Sequence, residues 1–527
     1  MKGVASSLIA ILLLLTGCSS NSSGKQVAEK APQVMRFNIQ QEPSSLDPRK
    51  VTTIQDINVC RAFMDGLFRI DKNGELQPAL AQSHTVSANG LIYTFYLRDA
   101  QWSDGSTITS HDFVYAWKSL LSPKFPSQSA YHLYSIKNAE LVKKGTLPSS
   151  MLGVEATDDK TIIVRLNKAT PDFISLTAHP VFYPVSQTVD KKNPKWADSV
   201  ETFVSSGPFH PVEWKHHYSI VAKKNSNYWD TNVVKLDRLE MVMVSADTEA
   251  RMFDANELDW TGSPISTLQP ELIKEGEVHK APFLGTRMVN VNTTRKALSS
   301  PKVRHAFALA VDRAAISEHI MHNLHDPAFG FVPQCMKLET PAFSEGEDAL
   351  ALLEEGLAEA GIEKNDLDGL VFSFMGEDQN KRYAETIQQQ WQDKLGVTVS
   401  LQAFDRKILL ENMVNKQYDF ALASWIADVE NPMNFLEIFH DATIQSNRTG
   451  WENAEYTALI DKANSVLDDA ERVSIMRRSE QLLLDQAPII PLTHFSLLYK
   501  HKENVQNVVV TPLGYIDFKW AEVEGEL

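Results

Sequence analysis

Three features of the 527-residue sequence limit its architecture, and the third of them predicts an α/β fold. The length is well beyond a single hydrophobic core, so we expect two or three domains. The composition, 43% hydrophobic and 22% charged, is typical of a globular protein. In the second half of the chain, predicted strands alternate with amphipathic helices, which is typical of an α/β lobe.

The first residues have the pattern of an exported lipoprotein. Lys2 precedes an apolar stretch, residues 4–15, that is too short to span a bilayer as a mature helix. Leu15-Thr-Gly-Cys18 then resembles the bacterial lipobox, in which the signal is cut before a cysteine that receives lipid. We therefore expect a signal peptide at 1–17, a lipid on Cys18 and a flexible tether over 18–33. The alternative is a plain signal peptide followed by a chance cysteine.

The charge and the cysteines limit the possible partners. A formal net charge of −16 argues against nucleic acid or anionic membrane surfaces as main partners. Cys60 and Cys335 remain in a compartment that permits disulfides, and their pairing stays open. They are predicted to lie in different lobes, so we favour two free, mostly buried thiols.

The first half of the chain contains clear strand and helix patterns. Val34–Ile39 and Leu91–Arg98 alternate with the period of a strand. A helix is predicted over 58–68, stopping at Gly66. A second helix, over 112–121, carries its apolar residues on one face and ends before Pro123.

In the second half of the chain, predicted strands alternate with predicted helices. Glycines at 361 and 396 are predicted to stop two helices. Strands are predicted at Gly285–Asn292, Leu370–Phe374, Val397–Leu401 and Tyr418–Ala423, and helices at Leu350–Ala360, Ile387–Leu395 and Leu459–Leu467.

One segment has the character of a ligand site. Trp425 and Asp428 are expected just past the C-terminal end of the strand at 418–423, before Asn431-Pro432 breaks the chain direction. Open α/β sheets place their ligands at such strand ends. An aromatic surface beside a carboxylate suits an elongated ligand that carries a positive charge.

A series of motifs in order resembles a known family. The residues concerned are Leu80–Ser83, Tyr93–Arg98, Trp102–Gly105, Asp112–Trp117, Ser206–Phe209, Asn225–Trp229, Val303–Arg313 and Gln481–Pro488. Together they resemble extracytoplasmic solute-binding protein family 5, the peptide- and nickel-binding family that serves ATP-driven importers. The resemblance extends from about Met35 to about Lys519.

The resemblance implies a two-lobed periplasmic-binding-protein fold with a hinge and a ligand cleft between the lobes. The core of lobe 1 would comprise residues 34–54, 176–281 and 496–527. An extra subdomain of lobe 1 would comprise 55–175, and lobe 2 would comprise 282–495. The two crossings, near residues 281 and 495, would form the hinge.

The resemblance also implies site residues. Asp428 matches the aspartate that pairs with the free α-amino group of a peptide in oligopeptide binders. The segment Trp425-Ile426-Ala427 before it would wall the cleft, although Trp425 also suits a place in the core. Glu430 is the nearby rival acid to Asp428. Glu42 and Tyr131 match positions that contact the ligand, and Tyr134 and His132 are the neighbouring alternatives to Tyr131.

Three replacements and one arginine set this chain apart. Leu422 and Ile426 stand where better-known oligopeptide binders carry polar or sulfur side chains, and Gly285 stands near a cysteine that some of them cross-link. Ligand length and side-chain preference therefore do not transfer. Arg287, which the resemblance does not mark, could hold a ligand carboxylate with two hydrogen bonds.

Metal and catalytic sites are not expected. His319, His322 and His325 would share a face only on a continuous helix, and a solvated helix end is preferred to a nickel site. His216-His217 is read as a turn or strand pair. The sequence contains no Gly-x-Ser-x-Gly, no His-Glu-x-x-His and no phosphate-binding glycine loop. We predict no enzyme activity and no cofactor.

The predicted function is a substrate-binding lipoprotein of an ABC importer. It would be a monomer at the periplasm or cell surface that binds short peptides and delivers them to a permease with its ATPase subunits. The alternatives are another ligand on the same fold (a cell-wall or glutathione-like peptide, a nickel chelate or haem) and a surface lipoprotein acting as adhesin or chaperone.

Overall fold

The structure is a computed structural model that describes residues 32–261, 278–336, 338 and 348–524. Cys18, the predicted signal peptide and residues 18–31 of the predicted tether lie outside the described residues. No helix within the described ranges is both long and apolar enough to cross a membrane.

The helices and strands are numbered here along the described chain. The first are β1 Val34–Asn38, α1 Ile54–Phe63, β2 Phe68–Ile70, β3 Leu76–Pro78, β4 Ala81–Val86, β5 Ile92–Leu97, α2 Ser110–Leu120, α3 Ala139–Lys143, β6 Val154–Asp158 and β7 Thr161–Arg165. Next come α4 Phe173–Leu176, α5 Gln187–Lys192, β8 Phe209–Lys215, β9 Ser219–Lys224, β10 Arg238–Val242, α6 Ala246–Asp254, β11 Trp260–Thr261, β12 His279–Val291, α7 Pro301–Leu309, α8 Arg313–His319 and β13 Asp326–Pro327. The last are α9 Ala349–Ala360, β14 Val371–Met375, α10 Asp378–Leu395, β15 Ser400–Phe404, α11 Arg406–Val414, β16 Phe420–Ile426, α12 Met433–Leu436, α13 Ala454–Ser465, α14 Asp469–Gln486, β17 Ile489–His501, β18 Val505–Gln506, β19 Val509–Val510, β20 Ile516–Asp517 and β21 Glu522–Val523.

A large mixed sheet runs through the molecule. Its strand order is β15-β14-β16-β12-β17-β11-β1-β10-β9-β8, with β13 paired to β17. Strands β14, β15 and β16 are parallel, while β12 is antiparallel to both of its neighbours. A separate four-stranded sheet has the order β4-β5-β7-β6. The predicted α/β class is confirmed.

The buried apolar side chains form distinct cores. The first core includes Met35, Trp117, Phe209 and Phe518, and thus draws on both ends of the described chain. The second core surrounds Trp391 on α10 and faces one side of the sheet. The third core includes Leu284, Phe435, Tyr456 and Leu483 and faces the other side.

Strand β17 connects these cores. Its Ile490 and Leu492 belong to the second core, whereas Tyr499 packs against the first. It is antiparallel to β12 over most of the length of both strands. The chain therefore passes between the parts built on different cores along two paired strands, which restricts their relative motion to bending and twisting.

The C-terminal segment returns to the first core through a buried ion cluster. Asp517, 1% exposed, accepts hydrogen bonds from Arg61 Nη2 at 3.0 Å and from Arg69 Nε and Nη2, both at 2.7 Å. These two arginines hold the pKa of Asp517 well below its usual range, although burial opposes the shift. Three buried charges in one hydrogen-bonded group fix β20 against α1 and β2.

The predicted helix ends at Gly361 and Gly396 are confirmed, while other bounds differ. Both glycines have positive φ angles, 63° and 65°, and follow the last residues of α9 and α10. The helix predicted over 58–68 instead begins at Ile54, because Thr53 and Asp56 form a capping box. The strand predicted at 397–401 is β15, displaced by three residues.

Candidate functional site

Strand β16 extends further than its apolar run predicts. It pairs with β12 residue for residue, from Phe420 opposite Val291 to Ile426 opposite Gly285. Trp425 is therefore within the strand, and the expectation that it follows the strand end is wrong. The partner strand supplies ladder hydrogen bonds beyond the point at which the sequence becomes polar. Asp428, two residues past the strand, lies where it was predicted.

Asp428 is exposed to a cavity of about 670 Å³. Its backbone N–H donates to Asn434 Oδ1 at 3.3 Å, but no described residue forms a hydrogen bond or ion pair with its carboxylate. The surrounding protein raises the pKa of Asp428 by removing water. This acid is thus a negative charge in the wall of a cavity, without a counterion in the part of the chain that the structure describes.

Two arginines that line the same cavity are committed to other acids. Arg472 Nη2 is 2.5 Å from Asp172 Oδ2, and Arg61 Nη2 is 3.0 Å from Asp517 Oδ2. Neither charge compensates Asp428 through a direct pair. A ligand ammonium group would supply what the carboxylate lacks.

A series of neutral rings leads away from His179, which lines this cavity. Tyr131 is 51% exposed, and its ring centroid lies 4.1 Å from that of His132, which stacks on His179 at 4.5 Å. Burial lowers the pKa of His132 to about 4 and that of His179 further. Both imidazoles are consequently neutral at pH 7 and leave the charge of Asp428 uncompensated.

Tyr131 is within electrostatic reach of Asp428. Burial, followed by the charge of Asp428, raises the pKa of Tyr131 to about 12. The pKa of Tyr515 is also raised, first by burial, with Asp428 and Tyr131 as further contributors. The structure therefore brings together two residues predicted from sequence, Tyr131 and Asp428, and adds Tyr515, which was not predicted.

Trp425 and Ala427 point away from this cavity. Trp425 packs against the third core, and its indole N–H has no hydrogen-bond partner. Ala427 is buried in the same core, and its N–H donates to Leu284 O at 2.8 Å. Their side chains support the strand, so contact with a ligand would come from neighbouring backbone.

Ile426 lines a second cavity, of about 310 Å³, on the other side of the same segment. Its side chain is 49% exposed and lies beside Phe283 and Phe495. A β-carbon on Gly285 would lie 2.4 Å from Phe495 Cδ2 and 3.3 Å from Ile426 Cγ1. Glycine at 285 therefore makes room for the Phe495 ring in this wall.

The edge of β16 is open where these residues lie. Strand β14 pairs with β16 only at Phe420 and Ala421. The hydrogen bond from Ala427 N to Leu284 O shows that the odd-numbered residues of β16 and its continuation direct their backbone N–H and C=O groups towards β12. Ser424 and Ile426 therefore present their N–H and C=O groups to the side on which β14 has ended, and an extended ligand could pair there.

Glu42 has partners of its own. His216 Nδ1 lies 2.7 Å from Glu42 Oε1, and the backbone N–H of His217 donates to Oε2 at 2.6 Å. The two histidines lie in the turn between β8 and β9. A turn was one of the two structures predicted for them, the other being a strand pair. The structure thus gives Glu42 a role in holding this turn, and its contact with a ligand stays a prediction.

The remaining histidines and cysteines are accounted for individually. Helix α8 ends at His319, and His322 has a positive φ of 50°, so the three histidines do not share a helix face. His325 Nδ1 instead accepts from Ser496 N at 3.0 Å. The described residues contain no group of three or more potential metal ligands. Cys60 and Cys335 are both free thiols.

Several residues of the larger cavity were missed by the sequence interpretation. Tyr515, His179, Asp172 and Arg472 are far apart in the chain and belong to no local motif. The one available signal was Thr511–Tyr515, whose Pro and Gly indicate a turn.

This chain is similar to a protein-family model, to known protein sequences and to solved structures. The model of the bacterial extracellular solute-binding proteins, family 5 Middle, matches residues 75–447. The oligopeptide-binding protein OppA of Bacillus subtilis (strain 168) is 33% identical over 540 residues, covering 97% of this chain and 98% of that protein.

This chain superimposes on two solved structures of similar proteins along most of its length. The unliganded open form of the periplasmic murein tripeptide-binding protein MppA superimposes with a TM-score of 0.85, at 26% identity, over 93% of this chain and 97% of that one. Haemophilus influenzae OppA in complex with the peptide RPPGFSPFR superimposes with a TM-score of 0.70, at 26% identity, over 93% and 99%. The predicted two-lobed fold is confirmed.

Proposed function

Because this chain belongs to the bacterial extracellular solute-binding proteins of family 5, we propose that it captures short peptides in the cleft beside Asp428 and delivers them to an ABC importer. The family consists of solute-binding proteins, and relatives of nearly the same length are named for oligopeptide binding. The ligand class suggested by these names agrees with the chemistry of the cavity.

The carboxylate of Asp428 carries the proposal. It lies in a cavity, has no cationic partner among the described residues and loses water to the surrounding protein. An ammonium group at the amino end of a peptide would compensate it, and charge-assisted hydrogen bonds are about twice as strong as neutral ones. The phenol of Tyr131, whose pKa the charge of Asp428 helps to raise, would then bond a peptide carbonyl.

The open edge of β16 would bind the peptide backbone through hydrogen bonds. Hydrogen bonds from Ser424 and Ile426 to a ligand strand do not depend on ligand side chains. Water can fill the loose space around those side chains in the cavity of about 670 Å³. Recognition of this kind tolerates many sequences, which suits a nutrient carrier.

Closure of the two lobes would complete the site. The similarity to an unliganded open form of MppA supports a cleft that is open before a ligand binds. We assign lobe 1 to residues 34–54, 176–281 and 496–527, its extra subdomain to 55–175, and lobe 2 to 282–495. Peptide contacts to both lobes exist only after closure, so binding shifts the population towards the closed form.

The placement in the cell follows from the first residues. The lipobox-like sequence at Leu15–Cys18 supports cleavage before Cys18, lipid attachment there and anchoring at the outer side of a membrane. The anchored monomer would present its closed form to the permease and its ATPase subunits. No catalytic step and no cofactor are part of this function.

Calorimetry of Asp428→Asn tests the proposal. Wild-type protein should bind a free peptide such as Ala-Phe-Ala roughly 10- to 100-fold more tightly than its N-acetylated form. The variant should lose most of this difference, because its neutral amide no longer attracts the ammonium group.

Glu430→Gln is the matched control, since Glu430 lines the same cavity. It should keep the preference for the free amino group. If both variants behave like the wild type, the ammonium pair is wrong. Mass spectrometry of ligands released from the purified protein gives an independent result: a pool of peptides agrees with the proposal, and a single metal chelate or haem contradicts it.

A further inference from the structure

The pairing of β12 with β17 is interrupted where the chain crosses between the proposed lobes. Three residues of β12 face a single residue of β17 between the pair of Pro282 with Ser496 and the pair of Thr286 with His494. Pro282 has no N–H to donate to β17, and the N–H of Ser496 donates to His325 Nδ1 at 3.0 Å. A bulge bends its strand and disrupts the ladder locally, so the two strands bend most easily here.

A hairpin of the C-terminal segment reaches this bulge. Strands β19 and β20 are antiparallel neighbours, and residues 511–515, which we call the hairpin tip, connect them. The tip is closed by hydrogen bonds from Gly514 N to Thr511 O and from Thr511 N to Tyr515 O, both at 2.9 Å. These two bonds give the tip a defined shape.

The base of the hairpin is attached to lobe 1. Asp517, on β20, accepts hydrogen bonds from Arg61 and Arg69 in the buried ion cluster. The N–H of Ile516 donates to Asn58 Oδ1 at 2.9 Å. Since Asn58 and Arg61 belong to α1 and Arg69 to β2, the hairpin is fixed to both of these elements.

Backbone hydrogen bonds connect the tip with the segment that carries Asp428. The N–H of Leu284, within the bulge, donates to Pro512 O at 2.8 Å. Leu284 O in turn accepts from Ala427 N at 2.8 Å. Because Ala427 directly precedes Asp428, two successive hydrogen bonds link the hairpin of lobe 1 to the proposed ligand anchor of lobe 2.

Side chains of the tip add apolar contacts at the same place. Leu513 packs against both the first core and the third core. Gly514 has a positive φ of 81°, and a β-carbon there would lie 3.2 Å from Phe283 Cε2. The ring of Phe283, which is part of the bulge, therefore lies directly beside this glycine. The tip thus contacts the proposed lobe 2 through its backbone and through its side chains.

We propose that the hairpin tip is a strap, a third connection between the lobes in addition to β12 and β17. This inference rests on the lobes and the closure of the proposed function and deepens that closure. Two paired strands permit both bending and twisting, whereas a further contact beside them resists the twist. The strap would hold the segment before Asp428 in one orientation towards lobe 1, so less conformational freedom is lost when a peptide binds.

Leu513→Ala tests the strap in the protein without ligand. Spin labels at the exposed positions of Glu213→Cys and Glu385→Cys report the distance between the lobes by double electron–electron resonance. A Cys335→Ser background leaves only the buried Cys60 among the described cysteines. The variant should show a broader distance distribution than the wild type, because lobe 2 can then twist. Hydrogen exchange at the Leu284 N–H should also become roughly 10-fold faster.

Leu76→Ala is the matched control. Leu76 lines the larger cavity as Leu513 does, but it packs against the first of the described cores and not against the third. Its replacement removes the same group from the same cavity and should change neither the distance distribution nor the exchange at Leu284.

Two results would overturn the strap. One is a ligand-free distance distribution in Leu513→Ala that is as narrow as that of the wild type. The other is rapid exchange of the Leu284 N–H in the ligand-free wild type, since a hydrogen bond to a fixed Pro512 carbonyl should protect it. The second measurement decides the matter even if Leu513→Ala fails to fold.

Addition of saturating Ala-Phe-Ala separates this inference from the proposed function. If the peptide does not shift the wild-type distance distribution, the proposed closure is wrong, while the comparison without peptide still decides the strap. If the wild type closes on the peptide but Leu513→Ala matches it without peptide, the closure stands and the strap is wrong.

Discussion

At the scale of single residues, Glu480 is a buried acid that the binding function does not use. It lies on α14 within the part of the molecule that holds the third core. Its Oε1 accepts from the N–H groups of Phe331 and Val332, both at 2.8 Å, while Oε2 has no partner. Burial raises the pKa of Glu480 to about 7, against the opposing effect of these two N–H groups.

Stability should therefore depend on pH through Glu480. Its folded-state pKa is raised above the unfolded value, so the folded protein binds the extra proton between about pH 4.5 and pH 7. The free energy of unfolding should fall as the pH rises through this window. Glu480→Gln, which stays neutral, should gain roughly 1–3 kcal/mol over wild type at pH 8 and almost nothing at pH 4.

Urea denaturation at a series of pH values measures this difference. Glu318→Gln, at an exposed site on α8, is the control and should follow the wild type at every pH. A constant offset between wild type and Glu480→Gln across the range would show that Glu480 does not titrate as described.

Gly285 is a second residue with a measurable role. Alanine there would place its β-carbon 2.4 Å from Phe495 Cδ2, so the ring would have to move. Overpacking of this kind costs roughly 1–3 kcal/mol. Gly285→Ala should lose that much stability in urea denaturation, and Gly285→Ala/Phe495→Leu should recover part of it.

Gly376→Ala serves as the control for Gly285, because its β-carbon would meet only ordinary contacts at 3.7 and 3.8 Å. It should change stability little. Equal losses in the two glycine variants would mean that the Phe495 ring is not the cause, because restriction of the unfolded chain by alanine alone would raise stability.

At the scale of elements, local patterns predicted the parts that depend on local chemistry. The ends of α9 and α10 at Gly361 and Gly396 follow from left-handed glycine caps. The extent of β16 does not follow from its own residues, because β12 supplies the pairing for Ser424 to Ile426. The sequence of a segment indicates whether it tends to form a strand, but the neighbouring strand that pairs with it determines where the strand ends.

Some residues of the candidate site could be predicted from local sequence, and others could not. Asp428 was predictable, since a strand end followed by a carboxylate is a local pattern. Tyr515, His179 and Arg472 reach the cavity from separate parts of the chain, and only the tertiary structure brings them together.

At the scale of the whole molecule, a polar link joins the two sides of the larger cavity. Asp172 precedes α4, whose Phe173 belongs to the first core, and Arg472 lies on α14 beside the third core. Arg472 Nη1 and Nη2 donate to Asp172 at 3.2 and 2.5 Å, and Asn431 Nδ2 donates to the same carboxylate. The Arg472 side chain is 8% exposed and that of Asp172 is 32% exposed, so the pair is partly shielded from water.

Under the proposed closure of the lobes, this link should favour the ligand-free arrangement. The structure superimposes well on the unliganded open form of MppA, and the link joins residues that we assign to different lobes. Removing it with Asp172→Asn should shift the ligand-free population towards the closed form. Peptide affinity should then rise by roughly 3- to 10-fold, because less of the binding free energy is spent on closure.

Small-angle X-ray scattering of the ligand-free protein and calorimetry with Ala-Phe-Ala measure the two effects together. Asp172→Asn should show a smaller radius of gyration than wild type without ligand, and the two proteins should converge when peptide is saturating. Glu155→Gln removes one acid from an exposed pair with Arg165, whose Nη1 lies 3.3 Å from Glu155 Oε2 on the four-stranded sheet, and should change neither quantity. A lower peptide affinity in Asp172→Asn would instead mean that the link persists in, and stabilises, the closed form.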